Sequence, residues 1–277
     1  MVERMPATSA PATIGEIIDR SVSAIVRRWR PFLIVAAVGA LPNVCFRAAA
    51  HGSEPAGGLL GFEILLSFVV GALTWPFIIR LVAAGDSTDL PFDFNRAWNE
   101  FWRALWIAVC GSLIFFLPLF VAVVIVALAF GVVRVLVSMG AAAIAAAILA
   151  LPIAIALPAA YAVLSIMYPV AILEETGPWK AVQRTIRRAR RDGWIRASLL
   201  GLAMLAAILA PVIGLDAAFK QLAMVPALWW VTLPGELITT FVSISLGLAL
   251  PTFAALDYRM RSEGTDLLRA AVASGER

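Results

Sequence analysis

The 277 residues are 62% hydrophobic and 14% charged, with a mean hydropathy of +0.92 and a formal net charge of +4. A soluble domain carries about 25% charged residues, so too little polar surface is present to cover a water-soluble globule of this size. Lipid is the solvent that fits this composition. The basic residues cluster beside apolar runs, a pattern of membrane topology and anionic-lipid contact rather than nucleic-acid binding. Cys45 and Cys110 are far apart in apolar surroundings, and His51, in a predicted outer loop, is the single histidine. No disulfide framework, metal site or cofactor is expected from them.

In chain order, residues 1–12 form an Ala/Pro/Ser/Thr-rich tail expected to be disordered. The first thirty residues hold Glu3, Glu16 and Asp19 and no compact apolar core, so no cleavable signal peptide is expected. Thr13 and Glu16 have the spacing of a capping box. In the helix that follows, Ile14, Ile17, Ile18, Val22, Ile25 and Trp29 share one face, with Glu16, Asp19, Arg20 and Arg27 on the other. That segment is too charged to span and should lie in the membrane interface.

The apolar runs then predict six transmembrane spans at about residues 31–49, 59–79, 104–132, 142–173, 196–215 and 236–256. They make an all-α integral membrane domain over 13–266, followed by a cytoplasmic tail at 267–277. The uncharged run Val135–Leu173 has 39 residues, and as one helix it would be roughly 58 Å long against a hydrocarbon core of about 30 Å. Two spans there would put 174–196, with its seven Lys+Arg, outside. The positive-inside rule disfavours that. One span, kinked near Pro152 and Pro158 and approached through an interfacial Ser138–Ala141, gives a cleaner count. Segments 1–30, 80–103, 174–196 and 257–277 then hold 5, 3, 7 and 4 of the 22 Lys+Arg. Only Arg47, Arg134 and Lys220 fall outside, so both termini are expected in the cytoplasm.

The inner segments resemble one another. Ile14–Trp29, Phe92–Trp106 (Phe94, Trp98, Phe101 and Leu105 on one face) and Pro178–Trp194 (Trp179, Val182, Ile186 and Ala189 on one face) each precede two spans. Each second span carries a proline near its inner end: Pro76, Pro169 and Pro251. The spacing predicts three pseudo-repeats of about 80–90 residues, each an amphipathic interfacial helix followed by a helical pair.

At the C-terminal end, Asp257-Tyr258-Arg259-Met-Arg261-Ser-Glu263-Gly264-Thr-Asp266-Leu resembles the D-[LY]-R-x-R-x-E-G-x-D-L ending of a bacterial membrane family. That family is the glycerophosphoryl diester phosphodiesterase membrane-domain or YciC-like family. Ile14-Gly15-Glu16-Ile-Ile-Asp19-Arg20 resembles its opening. Glu174-Glu175-x-Gly177-Pro178-x-x-Ala181-x-x-Arg184 resembles its middle loop, although Thr185 stands where a serine is common. Phosphodiesterase chemistry in that family belongs to a separate soluble domain that these 277 residues do not contain. The resemblance therefore implies a multi-pass membrane domain and not hydrolysis.

Candidate functional residues fall in three groups. Glu63 and Glu236 sit 13 and 15 residues before Pro76 and Pro251, and intramembrane carboxylates can bind cations, relay protons or pair with Arg47, Arg134 or Lys220. An interfacial structural carboxylate is the competing reading. Lys180, Arg184, Arg187, Arg188 and Arg191 are candidates for anionic-lipid contact. Asp257, Arg259, Arg261, Glu263 and Asp266 either dock the C-terminal segment onto the inner loops or simply anchor the last helix. Trp229-Trp230, flanked by Pro226 and Pro234, fits an outer interfacial or re-entrant segment. No GxxxxGK[ST], GxSxG or HExxH is present, and no histidine is available in the spans to activate a Ser or Thr. The expectation is a non-enzymatic module of the bacterial cytoplasmic membrane, a lipid-interacting scaffold or a subunit of a membrane complex. Its partners would be membrane lipids, other membrane proteins or itself, and no nucleic acid. A small-molecule or ion transporter using Glu63 and Glu236 is the alternative.

Overall fold

The structure is a computed structural model that describes residues 12–49, 57–84, 94–225 and 230–274. Eight helices make up the described chain: α1 (Ile14–Arg27), α2 (Trp29–Ala49), α3 (Gly57–Ala83), α4 (Phe94–Leu136), α5 (Met139–Leu173), α6 (Pro178–Asp192), α7 (Trp194–Ala223) and α8 (Thr232–Ser274). Five contain stretches long and apolar enough to cross a membrane: Leu65–Ala83, Leu117–Val135, Met139–Leu173, Trp194–Ala223 and Pro234–Gly264. The apolar part of α2, Trp29–Pro42, is shorter.

The boundaries follow local chemistry. Thr13 caps α1: its side chain accepts from the Glu16 N–H, and the Glu16 carboxylate accepts from the Thr13 N–H at 2.6 Å. The same hydrogen bond holds the Glu16 carboxyl below its ordinary pKa. α1 ends at Arg27 because Pro31 lacks an N–H and its ring would collide with the carbonyl four residues back. Gly193, at φ +97°, ψ +134°, makes the elbow between α6 and α7, a conformation that L side chains rarely adopt. No comparable breaker lies between Phe94 and Leu117. The second predicted amphipathic segment is accordingly the first part of the unbroken 43-residue α4 rather than a separate helix. The long uncharged run is a single helix, α5, N-capped by Ser138 and containing Pro152, Pro158 and Pro169. At the end of α5, Thr176 donates to the Ala171 carbonyl at 3.1 Å, with Glu175 between them at φ +49°. That is a Schellman C-cap, built on a glutamate where glycine is usual.

Three differences from the sequence expectation concern helix ends and faces. Ala12 is buried and hydrogen-bonded rather than part of a disordered tail. α8 continues to Ser274, past the predicted tail boundary at 267, since no proline interrupts it. The buried seam of α1 is Ile17, Ser21 and Ile25, whereas Val22 and Trp29 are about half exposed. Ser21 tolerates burial because its hydroxyl donates to the Ile17 carbonyl at 2.7 Å.

Packing has a regular plan. α3, α5 and α8 touch one another at the centre. Each peripheral helix lies against two of them: α2 on α3 and α8, α4 on α3 and α5, and α7 on α5 and α8. α1 rests on α8, α7 and α2, and α6 on α5, α8, α4 and α7. Prolines 76, 169 and 251 are buried, one in each central helix, and the residues three positions on, Ile79, Ile172 and Ala254, are fully buried. Trp75 and Tyr168, each immediately before its proline, meet edge to face with centroids 5.4 Å apart. Between apolar helices, close approach at small residues supplies the attraction that the hydrophobic effect supplies in water. A side chain at Gly201 of α7 would collide with the Pro158 carbonyl of α5, and Ala162 and Ala197 complete that small-residue crossing.

Candidate functional site

Charged residues from six elements converge at one end of the bundle, where α3 and α5 finish, α4 and α7 begin and α8 passes through. Three ionic junctions form there, each within six residues after the proline of a central helix. Arg80, four residues past Pro76, pairs with the buried Glu100 of α4 and, at 3.3 Å, with Glu175. Glu174, five past Pro169, takes one guanidinium nitrogen from Arg184 and one from Arg188 of α6, each at 2.6 Å. Asp257, six past Pro251, is 1% exposed and binds the chain just ahead of α1.

The third junction is the most elaborate. Asp257 Oδ1 accepts the Ala12 N–H at 2.8 Å, and its Oδ2 faces Arg261 at 2.8 Å and Arg196 at 3.1 Å. Both guanidiniums also donate to the Ala12 carbonyl at 2.9 Å, and both reach Asp192, Arg196 at 2.7 Å and Arg261 at 3.3 Å. One aspartate and two arginines therefore grip both backbone groups of one residue 245 positions from Asp257, and Asp192 braces the two guanidiniums. Such charge-assisted, multiply shared bonds are stronger than neutral ones. The Gly193 elbow sets Asp192 and Arg196 on opposite sides of the α6–α7 turn, in position to share these partners. The Tyr258 hydroxyl, buried beside this cluster, makes no hydrogen bond among the described residues.

The candidates from sequence distribute as follows. Asp257 and Arg261 belong to the third junction. Arg259 pairs with Glu263 one turn along its own helix at 2.7 Å, and the Asp266 side chain lies outside the described residues. In α6, Arg184 and Arg188 are turned to Glu174, while Lys180, Arg187 and Arg191 are exposed. An open cleft of about 510 Å³ runs over the second junction, lined by Glu174, Glu175, Arg184, Arg188, Arg259 and Glu263. Glu236 is half-buried near the start of α8, next to Gly235, which packs on the Phe219 ring. The Glu63 side chain, the Arg47 side chain, His51 and residues 226–229 lie outside the described residues. Lys220 pairs with Asp216 on its own helix at 2.8 Å. Among the described residues no group of His, Cys, Asp and Glu is arranged to hold a metal ion.

Sequence reading did not single out Arg80, Glu100, Asp192, Arg196 or Ala12. One signal was available: each central-helix proline is followed within six residues by a charge, Arg80, Glu174 and Asp257. No family model matches the chain, and neither the curated proteins nor the solved structures yield a match to it.

Proposed function

We propose that the protein is a non-enzymatic module of the bacterial cytoplasmic membrane, a lipid-interacting scaffold or complex subunit with six spans in three repeats and both termini inside. The observation that carries this reading is the order in which the junctions link helices. In the proposed repeats, α1–α3, α4–α5 and α6–α8, each central helix is tied, within six residues after its proline, by ion pairs or charge-assisted hydrogen bonds to the segment that opens the following repeat. α3 reaches the first part of α4, α5 reaches α6, and α8 reaches the start of α1, which closes the cycle. The packing supports the same division. Each peripheral helix lies between its own central helix and that of the preceding repeat. The charges of this face are spent on holding helices together, which is structural work.

The exposed sides of the amphipathic segments support a membrane-surface role. Val26 of α1, Trp29 at the start of α2, Trp98 and Trp102 of α4 and Trp179 of α6 are exposed beside basic residues. That is the composition of helices lying at a headgroup boundary. Impermeant maleimide labelling tests the topology in intact cells, on single cysteines in a background lacking Cys45 and Cys110. Met224→Cys, exposed at the far end of α7, should label, and Arg190→Cys should label only after permeabilisation. Labelling of both positions in intact cells would overturn the six-span arrangement.

A further inference from the structure

A second cleft, of about 390 Å³, opens where α1 meets α2 and is separate from the three ionic junctions. Its rim carries Arg20, Arg27 and Arg28 against one carboxylate, Asp19, and its wall is apolar: Phe32 of α2, Leu81 and Val82 of α3 and Phe253 of α8. Phe32 and Val82 are buried and belong to a small apolar core with Ile25, Val35, Ile78 and Ala249. The Arg28 guanidinium is fixed in place by donating to the Leu81 carbonyl at 2.5 Å, near the end of α3. Arg20 makes no ion pair among the described residues, and its charge helps hold the Glu16 carboxyl below its ordinary pKa.

We propose that this cleft binds the headgroup of an anionic phospholipid, with the phosphate between Arg20 and Arg28 and the first acyl carbons over Leu81 and Phe253. The proposal rests on the membrane-surface placement of α1 argued above, and it names a ligand class and a site distinct from the exposed face of α6. Three cations beside an apolar wall match a ligand whose charge and hydrocarbon are joined. A free anion would use only the rim, and a neutral lipid only the wall. The single-residue break at Arg28 helps form the site, because it interrupts the helix between α1 and α2 and places Arg28 itself against the end of α3.

The test uses the full chain, delipidated in detergent and titrated with short-chain phosphatidylglycerol or phosphatidylcholine. Native mass spectrometry reads the binding. The wild type should bind phosphatidylglycerol at least tenfold more tightly than phosphatidylcholine, and inorganic phosphate should compete weakly. Each arginine removed near a charged headgroup should weaken binding roughly fivefold. Arg20→Gln alone should therefore lower phosphatidylglycerol affinity about that much, and Arg20→Gln/Arg28→Gln by the product. Phosphatidylcholine binding should not change. Arg28→Lys keeps the charge and guards against a loss that comes only from the broken Leu81 contact; it should retain most of the affinity. Arg187→Gln/Arg191→Gln on α6 is the control and should leave the mass-spectrometric lipid count at this site unchanged. Equal losses in the α6 control, full competition by inorganic phosphate, or no preference between the lipids would each overturn the assignment. A failure of the topology experiment would be seen independently, since labelling does not depend on lipid binding.

Discussion

The two ends of the α4–α5 pair are made of similar helices in opposite surroundings. Near the junctions, Glu100, Ala104, Ile107 and Ala108 of α4 and Ile166, Met167, Val170 and Ile172 of α5 are buried by α3, α6, α7 and α8. At the far end, no residue of Leu117–Val135 is buried, and Leu117, Phe120, Leu128, Ile144, Ile148 and Ile155 are each at least 60% exposed. A soluble monomer rarely shows so large a continuous apolar surface. The comparison teaches that hydrophobicity decides only that these residues avoid water. Prolines, small residues and ion pairs at one end decide which helices meet.

The difference predicts a gradient of mutational sensitivity. The largest effect belongs to Asp257. Asp257→Ala leaves the Ala12 N–H without its acceptor and two guanidiniums with Asp192 alone, and should cost about 3–5 kcal/mol, measured as the unfolding midpoint in detergent. Arg259→Ala, between Asp257 and Arg261 in sequence but ion-paired to Glu263 and partly exposed, should cost no more than about 1 kcal/mol. Equal losses for the two would remove the distinction between a buried junction and a surface pair. Next comes Gly201→Leu, which forces α5 and α7 apart and should cost about 1–3 kcal/mol. Cross-linking efficiency between the two helices should fall with it, and an unchanged midpoint would show that the crossing is looser than described. At the far end, Ile148→Ala removes a chain exposed on its helix and should shift stability by less than about 0.5 kcal/mol.

The smallest effect is acid sensitivity at Glu16. Its carboxyl pKa is lowered in the fold by the hydrogen bond from the Thr13 N–H. A depressed folded pKa means that the charged form stabilises the cap above the ordinary value of 4.5, and this contribution is lost as pH falls through the folded value. Hydrogen exchange in the first turn of α1 should rise on acidification in the wild type. Glu16→Gln should flatten that response, and an identical acid response in the variant would exclude the cap as its source.

Much of the helical scaffold was legible because its signals are local. The Thr13–Glu16 box, Pro178 in the first turn of α6 and the charge-free run that becomes α5 need no tertiary information. The face of α1 was read less well. A period count assigns Val22 and Trp29 to the same side as Ile17, but a helix at a bundle's rim has one seam toward its neighbours and another toward lipid, and both are apolar. The junctions were harder still. Asp257 stood out only as part of a C-terminal motif, Arg196 and Asp192 are each unremarkable in sequence, and Ala12 sits in a stretch whose composition predicts disorder. What joins them is the Gly193 elbow and the cyclic packing of three central helices, which place residues 245 apart within a hydrogen bond. Glu175 gave no local signal of the turn it makes, because it occupies a C-cap position at φ +49° where glycine would have announced it.

The central claim is that Asp257 and Arg261 of α8 close the structure by gripping Ala12, just ahead of α1. Hydrogen exchange on the full chain in lipid nanodiscs tests it most directly, comparing wild type with Asp257→Asn, which keeps the shape and removes the charge. Protection should fall across Ile14–Arg27, while peptides from the shared core of α5, residues 159–173, exchange as before. Unchanged exchange in α1, or an equal rise along α5, would contradict a closure that depends on this carboxylate.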